Sequence, residues 1–249
     1  METLIKQARE VGTSAGVILP RNWLNKQVAV TLLSPSFMEI AKEVLVILIE
    51  HSLNKEAKGI YLVGSYSRGD HDIDSDIDVL VITSKTNKLI NQNNYEIILV
   101  TEDNFSKHLS TNLNYLSMLK EIKVIMNGEL IEKYMNKKFR LNFRRILKEN
   151  EEIFKINKES IEICEKEKRN IPDGIVYSVI LRLRELYIIK CLLAEKSYSK
   201  NDFIKITGEG AYLAYLRVKR NKKEFNNISA VEIKGLLDLS EKWLKELKK

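Results

Sequence analysis

The sequence predicts an α+β fold in which strands and helices occupy about the first half of the chain and helices alone follow. Short apolar runs typical of strands alternate with helical patterns between residues 36 and 131. From residue 133 onward, apolar residues recur at intervals of three and four, as in helices. The 249 residues, 44% of them apolar, suffice for one large domain or two small ones with cores.

The first element is a small β segment, expected at residues 1–34. Gly16-Val17-Ile18-Leu19-Pro20 is an apolar run that ends in a proline. Residues 28–33 form a second run with β-branched side chains, which favours a strand. One helical turn is expected between the two strands, at residues 21–25.

A mixed region follows at residues 35–135. Its first part, 36–52, has apolar residues at helical spacing. Thr101-Glu102-Asp103 is expected to cap a helix over 103–112 whose pattern extends to residue 122. Asn127-Gly128 indicates a turn or hairpin. Three apolar runs predict buried strands, at residues 59–63, 77–82 and 95–100.

The remaining sequence predicts a helical C-terminal domain at residues 136–249. Residues 197–210, which contain Gly208 and Gly210, are expected to form a linker. Pro172 is expected to end the first helix. The predicted helices are 140–168, 175–195, 211–223 and 229–248.

Composition restricts the classes of protein and partner. The net charge of +7 favours a polyanionic partner such as nucleic acid, nucleotide or pyrophosphate. Cys164 and Cys191 are isolated, so neither a zinc site nor a disulfide is expected. No apolar run approaches a membrane span, and residues 1–10 have no apolar signal-peptide core. We therefore expect a cytoplasmic protein without membrane contact.

Two carboxylates carry the strongest chemical signal. Asp76 and Asp78 are two residues apart at the start of an apolar strand, so their side chains are expected on the same face. An apolar strand would not bury two like charges without compensation. A divalent cation supplies that compensation, and hard oxygen ligands favour Mg²⁺.

A second group of residues predicts a phosphate-binding turn one loop before the carboxylates. Gly64 allows close approach of the backbone, and Ser65 adds a hydroxyl where a strand runs into a turn. Arg68 could place a cation against the same phosphates. Phosphate donors beside metal-binding carboxylates are the groups that nucleoside triphosphate chemistry requires.

These residues resemble the signature of the polymerase β nucleotidyltransferase superfamily, and most closely that of the minimal nucleotidyltransferases of archaea and bacteria. The pattern G-S-x-x-x-G-x5-S-D-x-D, followed by an apolar strand, is present with its spacing intact. The resemblance covers residues 40–131 and implies a small mixed sheet with helices on one face. The matching residues are Gly64, Ser65, Gly69, Ser75, Asp76 and Asp78. The resemblance implies that the first four of these bind nucleotide.

The resemblance also implies a third carboxylate on a later strand, and Glu96 lies at the expected place. The family more often has Asp there, so the longer Glu side chain departs from the pattern. The implied mechanism uses two Mg²⁺ ions held by Asp76 and Asp78, with Gly64 and Ser65 on the β- and γ-phosphates. Glu96 would hold the ion nearer the acceptor or take the proton from its hydroxyl.

Two simpler interpretations of residues 70–78 are a solvated acidic loop and a Ca²⁺ loop. An EF-hand requires Gly at its sixth position and Glu at its twelfth. From Asp70 those positions are Ser75 and Val81, and from Asp72 they are Ile77 and Thr83. Both registers fail, so the nucleotidyltransferase interpretation is preferred.

A basic run at the end of one predicted helix has two interpretations. With Tyr212 and Tyr215 before it, the run could form a polyanion-binding face on which bases stack. It could equally be a solvated helix face. The run consists of Arg217, Lys219, Arg220, Lys222 and Lys223.

The helical domain does not match the helical HEPN ribonucleases that often accompany minimal nucleotidyltransferases. Their R-x4–6-H motif requires a histidine, and every histidine here lies at or before His108. An acceptor-binding or dimerising domain is the preferred interpretation, and a homodimer is one expected assembly.

Residues 11–33 resemble short AbrB-like β modules, including archaeal transposon-associated ones. The shared pattern is G-x-S-x-x-(apolar)-x-(apolar)-P, with Gly12, Ser14 and Pro20 at its fixed positions. Such modules usually dimerise and often bind DNA, which implies a DNA contact through this segment. The alternative is an extra hairpin on the catalytic domain.

Two functions remain open from sequence. The first is a Mg²⁺-dependent enzyme that transfers an NMP, expected to be AMP from ATP, to a hydroxyl of a protein or RNA and releases pyrophosphate. A small-molecule acceptor is also open. The second is a DNA-binding regulatory or antitoxin-like protein that uses the nucleotidyltransferase fold as a nucleotide sensor.

Overall fold

The structure, a computed structural model, describes residues 3–6, 8–137, 139 and 142–248. The chain divides into two compact units, Met1–Ser36 and Phe37–Lys249. Arg140, where the sequence predicts the start of a helix, lies outside the described residues. In the described ranges, no helix combines the length and the apolar character required to cross a membrane.

The N-terminal unit contains a short antiparallel hairpin, β1 (Arg9–Val11) and β2 (Ser14–Gly16), and a 3-10 turn at Arg21–Trp23. The predicted helical turn is confirmed, but the predicted strands at 16–20 and 28–33 are wrong. β-branched residues form strands where a partner strand and a covered face are available. Residues 28–33 pair with no strand of the described chain, and Val30 and Leu32 are each 79% exposed.

The second unit contains a five-stranded mixed sheet in the order β5-β6-β4-β3-β7. Only β4 and β6 pair in parallel. The three predicted strands are confirmed, and the two that sequence missed are the edges, β5 and β7. β5 is largely polar and β7 has only four residues, so neither carries a clear alternating apolar pattern. The strands are β3 (Ala57–Leu62), β4 (Ile77–Thr83), β5 (Lys88–Gln92), β6 (Tyr95–Thr101) and β7 (Lys123–Met126).

Helices cover both faces of this sheet, whereas the resemblance implied one face. The long helix α1 (Phe37–Glu50) packs on the face formed by Leu62, Val79 and Ile97. Alternate residues such as Leu80 and Ile82 point to the other face, where three shorter helices contribute to the core. These are α3 (Glu102–His108), α4 (Leu113–Glu121) and α5 (Gly128–Met135). The short helix α2 (Gly64–Arg68) instead adds Tyr66 to the core on the α1 side.

Two local predictions in this unit, the hairpin at Asn127-Gly128 and the linker at 197–210, are wrong because each contains the capping residue of a helix. Asn127, with φ of 62°, accepts a hydrogen bond from Leu130 N–H and begins α5, so Asn127-Gly128 is not a hairpin. Ser199 accepts from Asp202 N–H and begins a helix inside the predicted linker. The predicted cap at Thr101 is confirmed by its bond from Asn104 N–H.

The C-terminal region is helical, as predicted. Its helices are α6 (Arg144–Lys166), α7 (Asp173–Leu193), α8 (Lys200–Thr207), α9 (Glu209–Lys219) and α10 (Ala230–Leu247). They share one apolar core with the second face of the sheet, from Tyr61 through Leu183 to Trp243. Cys164 and Cys191 are buried free thiols. The predicted domain boundary at residue 135 stays a prediction, and the core continues across it.

Candidate active site

Strand register brings two of the predicted carboxylates together. β4 and β6 pair in parallel, and Asp78 lies directly opposite Glu96. Residues opposite each other on adjacent strands project to the same face, so the two carboxylates are neighbours. Glu96 was predicted as a site residue only through a family resemblance. The strand register now supplies an independent physical reason, because it places Glu96 beside Asp78.

The carboxylates repel each other at this position. Burial, followed by the charge of Glu96, raises the pKa of Asp78 to about 6. Asp76 adds to the rise, while Lys219 and Arg68 oppose it. Asp76 itself is exposed and lies just before β4, close enough for its charge to act on Asp78. The structure therefore places all three negative groups in one electrostatic neighbourhood.

Gly64 is required by the close approach of Asp78. A Cβ atom at Gly64 would lie 2.0 Å from Asp78 Oδ2, well inside any allowed contact. Its φ of 69° also belongs to the left-handed region that side chains rarely adopt. The predicted phosphate turn and the predicted metal strand are thus in direct contact, which the spacing of the motif only suggested.

The turn that follows Gly64 is the short helix α2, which ends at Gly69. Gly69 has φ of 76° and donates its N–H to Ser65 O, a left-handed cap that favours glycine. A Cβ at Gly69 would meet no atom within 4 Å, so only its backbone conformation is demanding. The Ser65 hydroxyl makes no hydrogen bond with the described residues.

Arg68 is held by two carboxylates. Its guanidinium donates to Asp70 at 3.0 Å and to Glu121 at 2.5 Å, and all three side chains are largely buried. Glu121 is the last residue of α4. The Ser67 hydroxyl donates to the Glu121 carbonyl. Glu121 therefore fastens α2 to α4, a role that nothing in the motif spacing indicates.

The acidic loop between Gly69 and Asp76 is bound by cations of the helical region. Lys200 Nζ lies 2.8 Å from Asp72 and donates to the Asp70 carbonyl at 3.1 Å. Arg220 and Lys222 both contact Asp74, at 3.3 and 3.1 Å. The loop is thus neither a free solvated loop nor a Ca²⁺ loop, because its carboxylates already have cationic partners.

Ser75, predicted to bind nucleotide, closes a turn within the same loop. Its hydroxyl accepts a hydrogen bond from Asp72 N–H at 2.8 Å, and its own N–H donates to Asp72 O. These bonds fix the backbone directly before Asp76. The contacts observed for Ser75 position the carboxylate strand.

The basic run is mostly engaged inside the protein. Arg217 donates to the fully buried Asp173 at 2.7 Å, while Arg220 and Lys222 bind the acidic loop. Tyr212 and Tyr215 are 9% and 4% exposed, so they offer no surface on which bases could stack. Of the two sequence interpretations, neither a stacking platform nor a purely solvated face describes this helix.

The donor set at the carboxylates fits Mg²⁺. Asp78 and Glu96 present hard oxygen donors side by side, and their mutual repulsion is relieved by a cation. Proteins commonly hold Mg²⁺ through one or two carboxylates together with substrate phosphates. Among the described residues, no three or more His, Cys, Asp or Glu side chains are arranged as a complete metal site.

Several residues near the site were not predicted to act there. Glu121, Arg184, Lys200 and Lys219 come from α4, α7, α8 and α9, far from the motif in sequence. Arg184 acts electrostatically on Glu121, and Lys219 acts on Asp78. The sequence signals for these cations were the positive net charge and, for Lys219, the basic run, and neither signal located them beside the carboxylates.

Comparisons with known proteins give one family and one similar solved structure. A solved structure of a nucleotidyltransferase-like protein from Exiguobacterium sibiricum 255-15 matches with 16% identity and a TM-score of 0.35, over 83% of this chain and 75% of that one. The comparison with curated proteins gives no match. The nucleotidyltransferase domain model matches residues 42–206, which include the turn, the acidic loop and both carboxylate strands. With about two thirds of its length matched, the chain belongs to the nucleotidyltransferase domain family.

Proposed function

We propose that this protein is a Mg²⁺-dependent nucleotidyltransferase that transfers AMP from ATP to a hydroxyl of a protein or RNA and releases pyrophosphate. The observation that supports the proposal best is the pairing of Asp78 with Glu96, directly beside Gly64. Membership of the nucleotidyltransferase domain family supports NMP transfer in general. The choice of AMP and of a macromolecular acceptor is our proposal.

Each carboxylate has a role in this reaction. Asp76 and Asp78 would hold two Mg²⁺ ions, and Glu96 would hold the ion nearer the acceptor or accept the proton of its hydroxyl. When bound, the metal ions would offset the negative charge that develops on the phosphates. The acceptor oxygen forms a bond to the α-phosphorus while the bond from that phosphorus to the bridging oxygen of pyrophosphate breaks.

The phosphate turn would orient the leaving group. The Ser65 hydroxyl has no hydrogen bond with the described residues and can donate to a phosphate oxygen. Gly64 has no side chain, so its N–H can approach a phosphate oxygen closely. Gly69 and Ser75 would act through the backbone, because their observed contacts shape the turn and the loop.

The test uses the full chain with radiolabelled ATP, CTP, GTP or UTP, Mg²⁺, and cellular protein and RNA as acceptors. We expect label to move from ATP to a macromolecule with wild type and not with the double variant Asp76→Ala, Asp78→Ala. Omission of Mg²⁺ or addition of EDTA should also abolish transfer. If the label is transferred from CTP, GTP or UTP instead, the proposed donor ATP is wrong and the proposed transfer reaction still holds.

The alternative is the regulatory function, in which the fold binds nucleotide without transfer and the N-terminal unit contacts DNA. Metal-dependent nucleotide binding with no transfer to any acceptor would favour it. Loss of DNA binding upon deletion of residues 1–33 would then assign the DNA contact to that segment. Absence of both nucleotide binding and transfer would contradict both functions.

A further inference from the structure

Two arginines share one aromatic ring beside the phosphate turn. The guanidinium of Arg68, at the end of α2, lies 5.1 Å from the ring centre of Tyr198. The guanidinium of Arg184, from α7, lies 5.0 Å from the same ring centre. Tyr198 is 7% exposed, so both cations are held against a largely buried ring.

The two arginines differ in their counter-ions. Arg68 is ion-paired with both Asp70 and Glu121. Arg184 has no carboxylate within ion-pair distance among the described residues, and the group against which its guanidinium lies is the uncharged ring of Tyr198. Arg184 is nevertheless partly buried and next to a second guanidinium. A partly buried cation near another cation is costly unless an anion offsets it.

We propose that Arg184, rather than Arg68, binds the polyphosphate tail of the nucleotide. The sequence assigned this role to Arg68 because Arg68 lies within the motif, but the charge of Arg68 is already matched by two carboxylates. Arg184 forms no ion pair with a described residue and has a planar fork of donors, which suits oxygen atoms of phosphate. The inference rests on the proposed function, because it assigns a ligand group to the same site.

Position supports a polyphosphate rather than the base or sugar. Arg184 lies over the same Tyr198 ring as Arg68, and Arg68 ends the helix that begins at Gly64, so Arg184 lies on the side of the phosphate turn. Lys219 lies near Asp78 on the carboxylate side and also forms no ion pair with a described residue. The helical region thus contributes an unpaired cation on each side of the site, and Arg184 is the one near the turn.

The experiment measures binding of ATP, AMP and inorganic tripolyphosphate to the full chain by calorimetry, with Mg²⁺. We expect Arg184→Gln to weaken ATP and tripolyphosphate by about tenfold to a hundredfold and to change AMP binding by less than about twofold. Arg184→Lys keeps the charge but loses the fork, and should lie between Arg184→Gln and wild type.

Arg182→Gln is the matched control, because Arg182 is on the same helix and is paired with Glu185 at 2.8 Å. It should leave all three affinities unchanged. Suppose that wild type binds ATP and that the Arg184→Gln variant is shown to be folded by its melting curve. If this variant then binds ATP and tripolyphosphate as tightly as wild type does, the inference is wrong and the proposed function stands. If Arg184→Gln does not fold, equal binding by the folded Arg184→Lys variant and wild type overturns it. If wild type binds neither ATP nor tripolyphosphate, the proposed function fails together with it.

Discussion

The two halves of the site come from regions that differ in how they are built. The sheet supplies the acidic half, with Asp78 and Glu96 on two adjacent strands and Asp76 just before the first of them. The helical region supplies the basic half, with Arg184 and Lys200 among its cations on three helices. The acidic half is fixed by backbone pairing, whereas the basic half depends on how side chains of separate helices reach the same place.

The side chains of the two halves also differ in what they do. The carboxylates lie where a metal ion and phosphates would react, and the strand residues on either side of Asp78 and Glu96 are buried. The cations of the helical region mostly hold other parts of the protein: the acidic loop, or the buried Asp173. Substitutions on the sheet should therefore affect the reaction most, and substitutions on the helices should separate into stability and binding effects.

The largest effect is expected from Asp78→Asn. Loss of a carboxylate that holds the metal ions removes several kcal/mol of stabilisation of the transition state, so transfer should fall by about a thousandfold. The change also removes a buried charge next to Glu96. The melting temperature in EDTA should therefore be equal to or above that of wild type. A comparable loss of activity accompanied by a lower melting temperature would instead make Asp78 a structural residue.

The next effect tests the contact between turn and strand. Gly64→Ala places a Cβ against Asp78 and strains a left-handed backbone, so it should lower the free energy of unfolding by about 3 kcal/mol. Gly69→Ala is the matched control, because Gly69 also has a left-handed backbone conformation but a Cβ there would meet no atom within 4 Å. It should cost about 1 kcal/mol. Equal losses in urea denaturation would mean that the approach of Asp78 to Gly64 does not occur.

A third effect belongs to the helical region. Asp173 is fully buried and accepts from Arg217, Phe225 N–H and Asn226 N–H. Breaking such a pair through Asp173→Asn should cost about 3 kcal/mol in the free energy of unfolding at pH 7.

The pH dependence of stability gives a separate check on Asp173. Burial acts to raise the pKa of Asp173, but the bonds from Arg217 and the two N–H groups outweigh it and lower the pKa. The stabilisation is therefore complete above the unfolded pKa of about 4 and is lost as pH falls through the lower folded value. The difference between wild type and Asp173→Asn should shrink in that range, and a constant difference would contradict the pair.

The acidic half of the site could be predicted from sequence because it is local. Gly64, Ser65, Asp76 and Asp78 lie within fifteen consecutive positions, and strand alternation converts their spacing into geometry. The roles of Arg68 and Ser75 could not be predicted in this way. Their partners depend on where Glu121 and the loop backbone lie in three dimensions, and neither follows from a motif.

The fold shows the same division. Buried strands and long helices were readable, since their apolar residues repeat with the period of the element. The edge strand Lys88–Gln92 was missed because its pairing with β6 stabilises a largely polar segment. For residues 28–33 the error was the opposite one, a strand predicted where none forms. Their composition favours a strand, but a strand does not form without a partner strand. In both cases the deciding interaction is non-local.

The smallest effects compare two lysines that hold the acidic loop. Lys200 is 14% exposed and contacts both Asp72 and the Asp70 carbonyl, whereas Lys222 is 57% exposed and contacts Asp74. A partly buried ion pair is screened little by water, so Lys200→Gln should raise KM for ATP by about threefold to tenfold through a looser loop. Lys222→Gln should change KM by less than about twofold, because exposed pairs contribute 0–1 kcal/mol. Added salt should lessen the Lys222 effect and leave the Lys200 effect. If Lys222→Gln changed KM more than Lys200→Gln, the exposed end of the basic run would contact the nucleotide or acceptor directly. The basic run would then bind a polyanion, as one of the two sequence interpretations held.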